Sequence, residues 1–426
     1  MRFADIRHQE RALSILRRSL ASGRGHHAYL FDGPDGVGKE LAGRALAAKL
    51  LCENVPGQAG FQGGLGLGGG AADDDFEPCG DCRSCRLLAT GNHPDFHVIE
   101  RALHKLHSIP TIRKSKGLFL VVDVIREFLI ERASAAPALG KRRVFLIREA
   151  ERMNDQAQNA LLKTLEEPPG EAALILITAS SSRLLPTIRS RCQRIPFGAL
   201  PSAFVLERLV AAGVQRDAAR TLTGLSQGQL GPALEWNRLN LAEIVDRVAA
   251  LLVGTPANEP EAFSKALVEI AAEVVQRRKA EEKKAAKTAA GAPDGDQPED
   301  ETDDDVDAED TDEEKTSVKN IATDELRGAL KLCFAIVSAI LRDALVSQSL
   351  RGCGAGTGDE AGLRLLSPKI AAVDRLAGTA DDGQLSGRIR GVSHAEYMLD
   401  RNVAPALVCD RLALSLGDVH ALDGIA

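Results

Sequence analysis

The chain has 426 residues, enough for about two or three domains, and 44% of them are hydrophobic while only 4% are aromatic. Aliphatic cores are therefore expected. No apolar run approaches the roughly 20 residues that span a bilayer, and the start lacks the apolar stretch of a signal peptide, so we expect a cytoplasmic protein. The net charge is −7, but residues 294–314 hold fourteen acidic and no basic residues, which leaves +7 on the remainder. A mildly basic remainder permits contact with nucleic acid without arguing for it.

A glycine loop follows the first apolar strand, residues 27–32, and precedes a helix predicted from Glu40 to Leu51. Residues 33–40 read GPDGVGKE, which meets the phosphate-binding pattern G-x-x-x-x-G-K-[ST] except at its last position. In that pattern the glycine amides surround phosphate oxygens, the lysine neutralises charge, and a hydroxyl holds Mg²⁺. Glu40 replaces the hydroxyl, and its charge would repel the phosphates. We expect weak or no nucleotide binding by this degenerate loop, whose candidate residues are Gly33, Gly36, Gly38 and Lys39.

The remaining elements alternate between strands and helices in the first half of the chain. Strands are predicted at 144–147 and 174–178, and helices at 8–23, 121–131 and 154–167, the last ended by Pro168-Pro169. This alternation predicts an α/β domain with a parallel sheet. After residue 197 the pattern predicts helices alone, which are expected within 200–237 and at 241–252, 261–278, 326–349 and 396–416.

Two segments cannot bury a core. Residues 57–75 are rich in glycine and then acidic, which is typical of a flexible insertion. Residues 283–318 are rich in Lys and Ala, then in Pro and Gly, and finally acidic, so they are predicted to be disordered. The acidic run is expected to keep the protein soluble, and mimicry of DNA is the alternative.

Four cysteines have the spacing of metal ligands. Cys79, Cys82 and Cys85 form a C-x₂-C-x₂-C step, and Cys52 lies upstream at the end of the loop helix. Four thiolates can close a tetrahedral shell around Zn²⁺ and leave no position open to water. We therefore expect a structural zinc site rather than a catalytic one. An iron–sulfur cluster and unpaired thiols on a flexible insertion are the alternatives.

Four motifs occur in an order that indicates a family. The phosphate loop, the cysteine module after its helix, residues 159–169 (NALLKTLEEPP), and Ser190-Arg191-Cys192 behind residues 185–188 (LPTI) follow one another. Together they closely resemble the delta-prime subunits of bacterial DNA polymerase III clamp loaders, which are members of the AAA+ family. The resemblance is strong over roughly residues 1–236 and weak in the C-terminal helical part.

The resemblance implies a domain organisation and a set of partners. An AAA+ α/β nucleotide-binding-type domain is expected over 1–197 with a zinc module at about 52–85, a small helical lid over 198–239, and an all-α collar over 240–426. Members of the family form a five-subunit ring with gamma/tau and delta subunits. That ring uses ATP to open a sliding clamp and place it on primed DNA.

The resemblance also assigns a role to Arg191. In such rings the Arg of the Ser-Arg-Cys motif reaches the ATP site of a neighbouring subunit, where a guanidinium stabilises charge that develops on the γ-phosphate. Arg191 is therefore expected to be an arginine finger in trans, with Cys192 as buried support for its turn. The alternative is a surface arginine that pairs with a carboxylate.

Comparison with an active site of this family predicts that the chain does not hydrolyse ATP. Beyond Glu40, Arg148 stands where a metal-binding Asp follows the 144–147 strand, and Gly231 stands at the position of the lid arginine. Glu149 matches the position that activates water but has no metal to work with, and the polar sensor falls on Thr178 or Ala179. We therefore expect no ATP hydrolysis, weak or no binding of ATP/Mg²⁺, and a role as a component of a DNA polymerase holoenzyme.

Two other functions compete with this reading. An active AAA+ clamp-loader ATPase would have to tolerate Glu40 and Arg148. A zinc-containing nucleic-acid-binding module would use Arg83, Arg86 and the basic residues 277–279 against phosphates, but no aromatic stacking platform accompanies them.

Overall fold

The computed structural model describes residues 2–21, 25–54, 76–115, 117, 119–140, 142–254, 259–290, 322–352, 364–366 and 371–417. The chain divides into two compact units, residues 1–201 and residues 202–426. The boundary lies close to the predicted end of the α/β domain at residue 197. The expected division of the second unit into a lid and a collar at residue 239 stays a prediction.

The first unit is built on a five-stranded sheet in which every pair of neighbours is parallel, in the order β2-β3-β4-β1-β5. The strands are β1 (Ala28–Asp32), β2 (Phe96–Ile99), β3 (Val144–Ile147), β4 (Ala173–Thr178) and β5 (Gln193–Pro196). Every residue of β1, β3 and β4 is buried. Central strands of a parallel sheet are covered on both faces, which explains their continuous apolar sequences. The predicted α/β class with a parallel sheet is confirmed.

Helices connect the strands of the first unit. They are α1 (Glu10–Ala21), α2 (Lys39–Leu51), α3 (Arg83–Ala89), α4 (Pro110–Arg113), α5 (Val122–Ile125), α6 (Glu131–Ala133), α7 (Asp155–Glu166) and α8 (Pro186–Arg191). A π-turn, Arg126–Ile130, joins α5 to α6 and makes one helical segment of the three. At the start of α7 the Asn154 side chain accepts the N–H of Ala157, which is an N-cap.

The core of the first unit lies between the sheet and helices α5 to α8. Leu161 and Leu165 from α7 and Ile188 from α8 belong to one buried cluster with the apolar residues of the sheet. The buried Gln158 side chain also accepts the backbone N–H of Leu185 at 2.7 Å. The hydrogen bond therefore joins the beginnings of α7 and α8, and the packing holds the two helices together along their length.

Helices are the regular secondary structure in the described residues of the second unit, as predicted. Its helices are α9 (Ser202–Ala211), α10 (Arg216–Ser226), α11 (Leu230–Arg238), α12 (Leu241–Gly254), α13 (Pro260–Ala290), α14 (Thr323–Gly352), α15 (Ala371–Thr379), α16 (Asp382–Asp400) and α17 (Pro405–Gly417). No helix in the described ranges is both long and apolar enough to cross a bilayer.

Two expectations for the second unit need correction. The single helix predicted at 396–416 is two helices, because Asn402 adopts a left-handed backbone with φ of 61° and Pro405 begins the next helix. Helix α13 continues to Ala290, so residues 283–290 are helical rather than disordered. The rest of that predicted disordered segment, residues 291–318, and the glycine-rich segment 57–75 lie outside the described residues.

Candidate nucleotide site and metal centre

The loop between β1 and α2 has a backbone that depends on glycine. Gly36 and Gly38 have φ values of 70° and 101°, in the left-handed region that side chains with a Cβ avoid. At Gly33 a Cβ would lie 2.3 Å from the carbonyl oxygen of Phe197, so a larger residue could not fit there without a shift of the backbone. The loop thus keeps the glycines that a phosphate-binding loop needs.

The lysine of the loop is engaged by the loop itself. Its Nζ donates to the carbonyl oxygens of Gly33 and of Pro34, the latter at 2.7 Å, and lies 3.4 Å from Oδ1 of Asp35. The residue is only 4% exposed. Burial lowers the pKa of Lys39, although the nearby carboxylates of Asp35 and Glu151 oppose the shift. A phosphate could use this ammonium only after displacing these contacts.

The position of the Mg²⁺ ligands holds an ion pair. Arg148, directly after β3, places Nη2 2.8 Å from Oε2 of Glu40 and Nη1 2.7 Å from Oε2 of Glu100. Burial disfavours the charged guanidinium, but hydrogen bonds to Glu100 and Glu40 outweigh it and raise the pKa of Arg148. The register of β2 against β3 pairs Ile99 with Ile147, which brings the residue after each strand to the same edge of the sheet. The charges of Glu40 and Arg148, the two residues that depart from the active pattern, therefore neutralise each other.

The other two catalytic positions are also engaged within the chain. Glu149 accepts from Nε and Nη2 of Arg101 at 2.7 and 3.1 Å. Thr178 is the last residue of β4 and is fully buried, and its Oγ1 accepts the backbone N–H of Ser180 at 3.1 Å. The polar residue at the end of this strand is therefore Thr178 and not Ala179, and its hydroxyl faces its own turn.

A cavity of about 350 Å³ lies at this edge of the sheet. The residues that line it and carry charge or a hydroxyl are Asp35, Lys39, Glu40, Arg148, Glu149, Glu151 and Thr178. Mg²⁺ prefers an octahedral set of oxygens, and here a guanidinium stands among the candidate carboxylates. The cavity has the place of a nucleotide site, but its charges do not suit a metal-bound triphosphate.

The four predicted metal ligands converge. The Sγ atoms of Cys52, Cys79, Cys82 and Cys85 all lie within 4.8 Å of one another, and the Cys52–Cys82 and Cys79–Cys85 pairs are 4.0 Å apart. A tetrahedral zinc with Zn–S bonds of about 2.3 Å has sulfur–sulfur edges of roughly 3.8 Å. Across the described ranges, no second group of three or more His, Cys, Asp or Glu side chains converges in this way. The cluster can therefore hold one metal ion.

Backbone N–H groups point at the sulfur atoms. The amides of Cys79, Cys82 and Cys85 donate to Sγ of Cys52, Cys79 and Cys82 at 3.5, 3.4 and 3.4 Å. Burial raises the pKa of the Cys52 and Cys85 thiols. Burial would also raise the pKa of Cys79, but the N–H groups of Cys82 and Asp81 outweigh it and lower the value to about 7. These donors favour thiolates, the form that binds metals.

The cysteine module is attached to the rest of the first unit by contacts that the sequence analysis did not anticipate. The ring of Phe76 stacks on Phe3 with centroids 4.0 Å apart. The Glu77 carboxylate accepts the backbone N–H groups of Phe3 and Ala4 at 2.9 and 2.8 Å. An aromatic and an acidic residue just before a cysteine step carried no recognisable signal, because their partners lie more than seventy residues away.

Arg191, the last residue of α8, pairs with a carboxylate of its own chain. Its Nη2 contacts Oε1 of Glu166, and its Nη1 donates to the carbonyl oxygen of Thr187 at 3.1 Å. Cys192 is buried, and this burial raises the pKa of its thiol to about 12. The surface-pair alternative thus describes the contact within this chain. The role of Arg191 as a finger in trans stays a prediction.

A family model described as "DNA polymerase III, delta subunit" matches residues 8–201. The matched residues make up slightly less than half of the chain. The chain is 36% identical over 248 residues to DNA polymerase III subunit delta' of Pseudomonas aeruginosa, which covers 56% of this chain and 65% of that protein. It is 34% identical over 218 residues to the Escherichia coli subunit delta', with 51% and 56% covered.

The chain is also similar to a second kind of DNA polymerase III subunit. It is 36% identical over 199 residues to the gamma/tau subunit of Mycobacterium tuberculosis, which covers 47% of this chain and 29% of that protein. The chain matches less than two thirds of the length of each of these relatives. The resemblance to delta-prime subunits that the motifs indicated is confirmed.

Gly231, which stands at the position where an active site was expected to carry a lid arginine, lies within α11 of the second unit. The basic stretch that the nucleic-acid hypothesis invoked is paired within the chain. Arg277 contacts Glu243 and Glu273 at 2.9 and 2.6 Å, Arg278 contacts Glu235 at 2.9 Å, and Lys279 contacts Glu325 at 2.6 Å. These residues thus form surface ion pairs within the second unit.

Proposed function

We propose that this chain is a non-catalytic subunit of the DNA polymerase III clamp loader. It takes a place in a five-subunit ring with gamma/tau and delta subunits, and the ring loads the sliding clamp onto primed DNA. Arg191 acts in trans as an arginine finger for the ATP site of a neighbouring subunit. The match of residues 8–201 to the delta family and the relatives called subunit delta' support this proposal.

One observation supports the proposed absence of catalysis most directly, the Glu40–Arg148 ion pair. A guanidinium has no lone pair to donate to a metal and repels it by its charge, so the arrangement between the loop and β3 does not suit Mg²⁺. A missing metal removes several kcal/mol of transition-state stabilisation, and each 1.4 kcal/mol is about tenfold in rate. The isolated chain is therefore expected not to turn over ATP.

Zinc is the metal that the cysteine cluster suits. Four sulfur ligands without an open position are typical of structural Zn²⁺, which would cross-link the end of α2 to the start of α3. Its role is to order the module rather than to take part in chemistry.

The proposal is tested by reconstitution with the remaining clamp-loader polypeptides of the same organism. A stoichiometric complex is expected by native mass spectrometry. Within it, Arg191→Ala should lower ATP hydrolysis at one site only, while Arg189→Ala, an exposed arginine on the same helix, serves as the matched control. If the chain alone hydrolysed ATP above background, and Lys39→Ala abolished this activity, the non-catalytic assignment would be wrong.

A further inference from the structure

The partner of Arg191 within its own chain is the feature that the proposed function does not use. Arg191 ends α8 and Glu166 ends α7, and their side chains form an ion pair in which the arginine is 34% and the glutamate 47% exposed. A second guanidinium nitrogen donates to the Thr187 carbonyl. The pair stands at the surface, where a neighbouring molecule can reach it.

The two residues meet because two rigid helix ends meet. Helix α7 ends at Glu166, where Glu167 leaves the helical region with φ of −129° and ψ of 80° before Pro168. Helix α8 ends at Arg191, where Cys192 is extended and buried. The buried cluster packs these ends against each other through Leu165, Ile188 and Cys192, and the Gln158–Leu185 hydrogen bond joins the beginnings of the same two helices. The contact is therefore a product of the packed core and not of two mobile loops.

We propose that Glu166 is a positioning residue for Arg191, a carboxylate that holds the guanidinium until a triphosphate takes its place. This inference rests on the proposed function of Arg191. An exposed ion pair of this kind shifts an equilibrium by about fivefold at most, so Glu166 restrains the arginine without locking it. A triphosphate carries several negative charges and accepts the planar guanidinium in bidentate geometry, so it displaces a single carboxylate.

The restraint is tested first on the full chain alone, without any ring. Phenylglyoxal modifies accessible arginines, and mass spectrometry follows the rate at Arg191, with the exposed Arg189 as an internal reference. In Glu166→Gln the rate at Arg191 is expected to rise about two- to fivefold, the range open to an exposed ion pair. Glu167→Gln, a change at the adjacent exposed glutamate, should leave the rate unaltered, and Glu166→Asp should restore protection in part.

Equal rates at Arg191 in the wild-type chain and in Glu166→Gln would overturn the inference. A general loss of structure is recognised because it would raise the rate at Arg189 as well. In that case Glu166→Asp, which keeps the charge, is used instead. A rate at Arg191 above the wild-type rate, with Arg189 unchanged, supports the restraint, and an unchanged rate at Arg191 contradicts it.

The second measurement uses the reconstituted ring and separates the two proposals. Glu166→Gln is expected to lower the ATP concentration for half-maximal hydrolysis at the dependent site, with kcat little changed. If Arg191→Ala has no effect on hydrolysis, the proposed function fails whatever the modification rates show. Suppose that Arg191→Ala lowers the rate of ATP hydrolysis. If Glu166→Gln then leaves the ATP dependence of hydrolysis unchanged, or lowers the rate as much as Arg191→Ala does, the restraint by Glu166 is wrong while the proposed function stands.

Discussion

The Arg148 guanidinium and the Glu40 carboxylate lie 2.8 Å apart and form an ion pair at the place where an active phosphate loop holds a metal. An active site has a neutral hydroxyl on the helix and an anion after the strand. Here an anion stands on the helix and a cation after the strand. The pair belongs to a larger charged network, because Glu40 also contacts Arg44 at 2.9 Å and Arg148 also contacts Glu100 at 2.7 Å.

Reversal of both changes should create a site that depends on a metal. In the double variant Glu40→Thr/Arg148→Asp the loop regains a hydroxyl and a carboxylate, the ligands that hold Mg²⁺ beside a triphosphate. Fluorescent ATP is expected to bind at least tenfold more tightly with Mg²⁺ than with a chelator, a difference that the wild-type chain should not show. Addition of Lys39→Ala to the double variant provides the control, and binding that ignored Mg²⁺ would contradict the metal assignment.

Removal of the metal should destabilise the first unit. The cluster joins the end of α2 to the start of α3, and ligand binding to the folded state alone stabilises that state. Because each kcal/mol corresponds to roughly 2–4 °C for a unit of this size, the Tm should fall by about 5 °C or more after chelation. Calorimetry measures the change, and added Zn²⁺ should reverse it.

The stoichiometry of the metal gives an independent check. One zinc per chain is expected by elemental analysis, and Cys82→Ser should lose it, whereas Cys333→Ser in the second unit should retain it. Zinc binding should also weaken at acidic pH, because the ligands bind as thiolates. An iron content with visible absorption would instead support a cluster of iron and sulfur.

A buried carboxylate should make the first unit sensitive to acid. Asp95 is fully buried and accepts the N–H groups of Ala138, Leu139 and Gly140 at 2.7, 2.8 and 3.2 Å. Burial alone would raise the pKa of Asp95, but these three donors lower it overall. A folded-state pKa below the unfolded one means that the contribution is complete above about pH 4 and is lost as the pH falls through the folded-state value.

The substitution Asp95→Asn tests this contribution. It is expected to lower the free energy of unfolding by about 2–3 kcal/mol at pH 7, because an amide satisfies the three N–H groups less well than a carboxylate. Urea titration followed by circular dichroism should show that the gap between the two proteins narrows below pH 4. Asp155→Asn, at an exposed position, is the control, and a gap that did not depend on pH would refute the role of the charge.

The first glycine of the phosphate loop should not tolerate alanine. A Cβ on Gly33 would meet the Phe197 carbonyl oxygen at 2.3 Å, so the backbone would have to move. A loss of about 1–3 kcal/mol is expected, as for other overpacked sites. Gly198→Ala is the matched variant, since nothing lies within 4 Å of a Cβ at that position, and equal losses of stability in the two variants would count against the steric argument.

The strands that the sequence predicted are those that the sheet covers on both faces. The segments predicted at 27–32, 144–147 and 174–178 are mostly apolar because β1, β3 and β4 are central. The two edge strands escaped prediction. β2 is short and half-buried, and β5 contains Gln193, Arg194 and Pro196, which an edge position allows.

The site was predictable as a set of residue types and not as a set of contacts. The spacing of the cysteines was sufficient to find the metal cluster, since ligands close in sequence must be close in space. Glu40 and Arg148 were each recognised as departures from a motif, but their pairing depends on how α2 packs beside β3. Glu100, which the register of β2 against β3 places beside Arg148, belongs to no motif. The contact between Arg191 and Glu166 likewise depends on how two helices pack.

Helix α2 begins at the lysine of the glycine loop, and the residue after its end is the first cysteine of the metal cluster. Its 13 residues make a rod of about 20 Å in which one residue more or less turns the far end by roughly 100°. The length of α2 thus sets the distance between the glycine loop and the metal cluster. Insertions and deletions inside it are expected to damage both at once, while substitutions on its outer face should leave both intact.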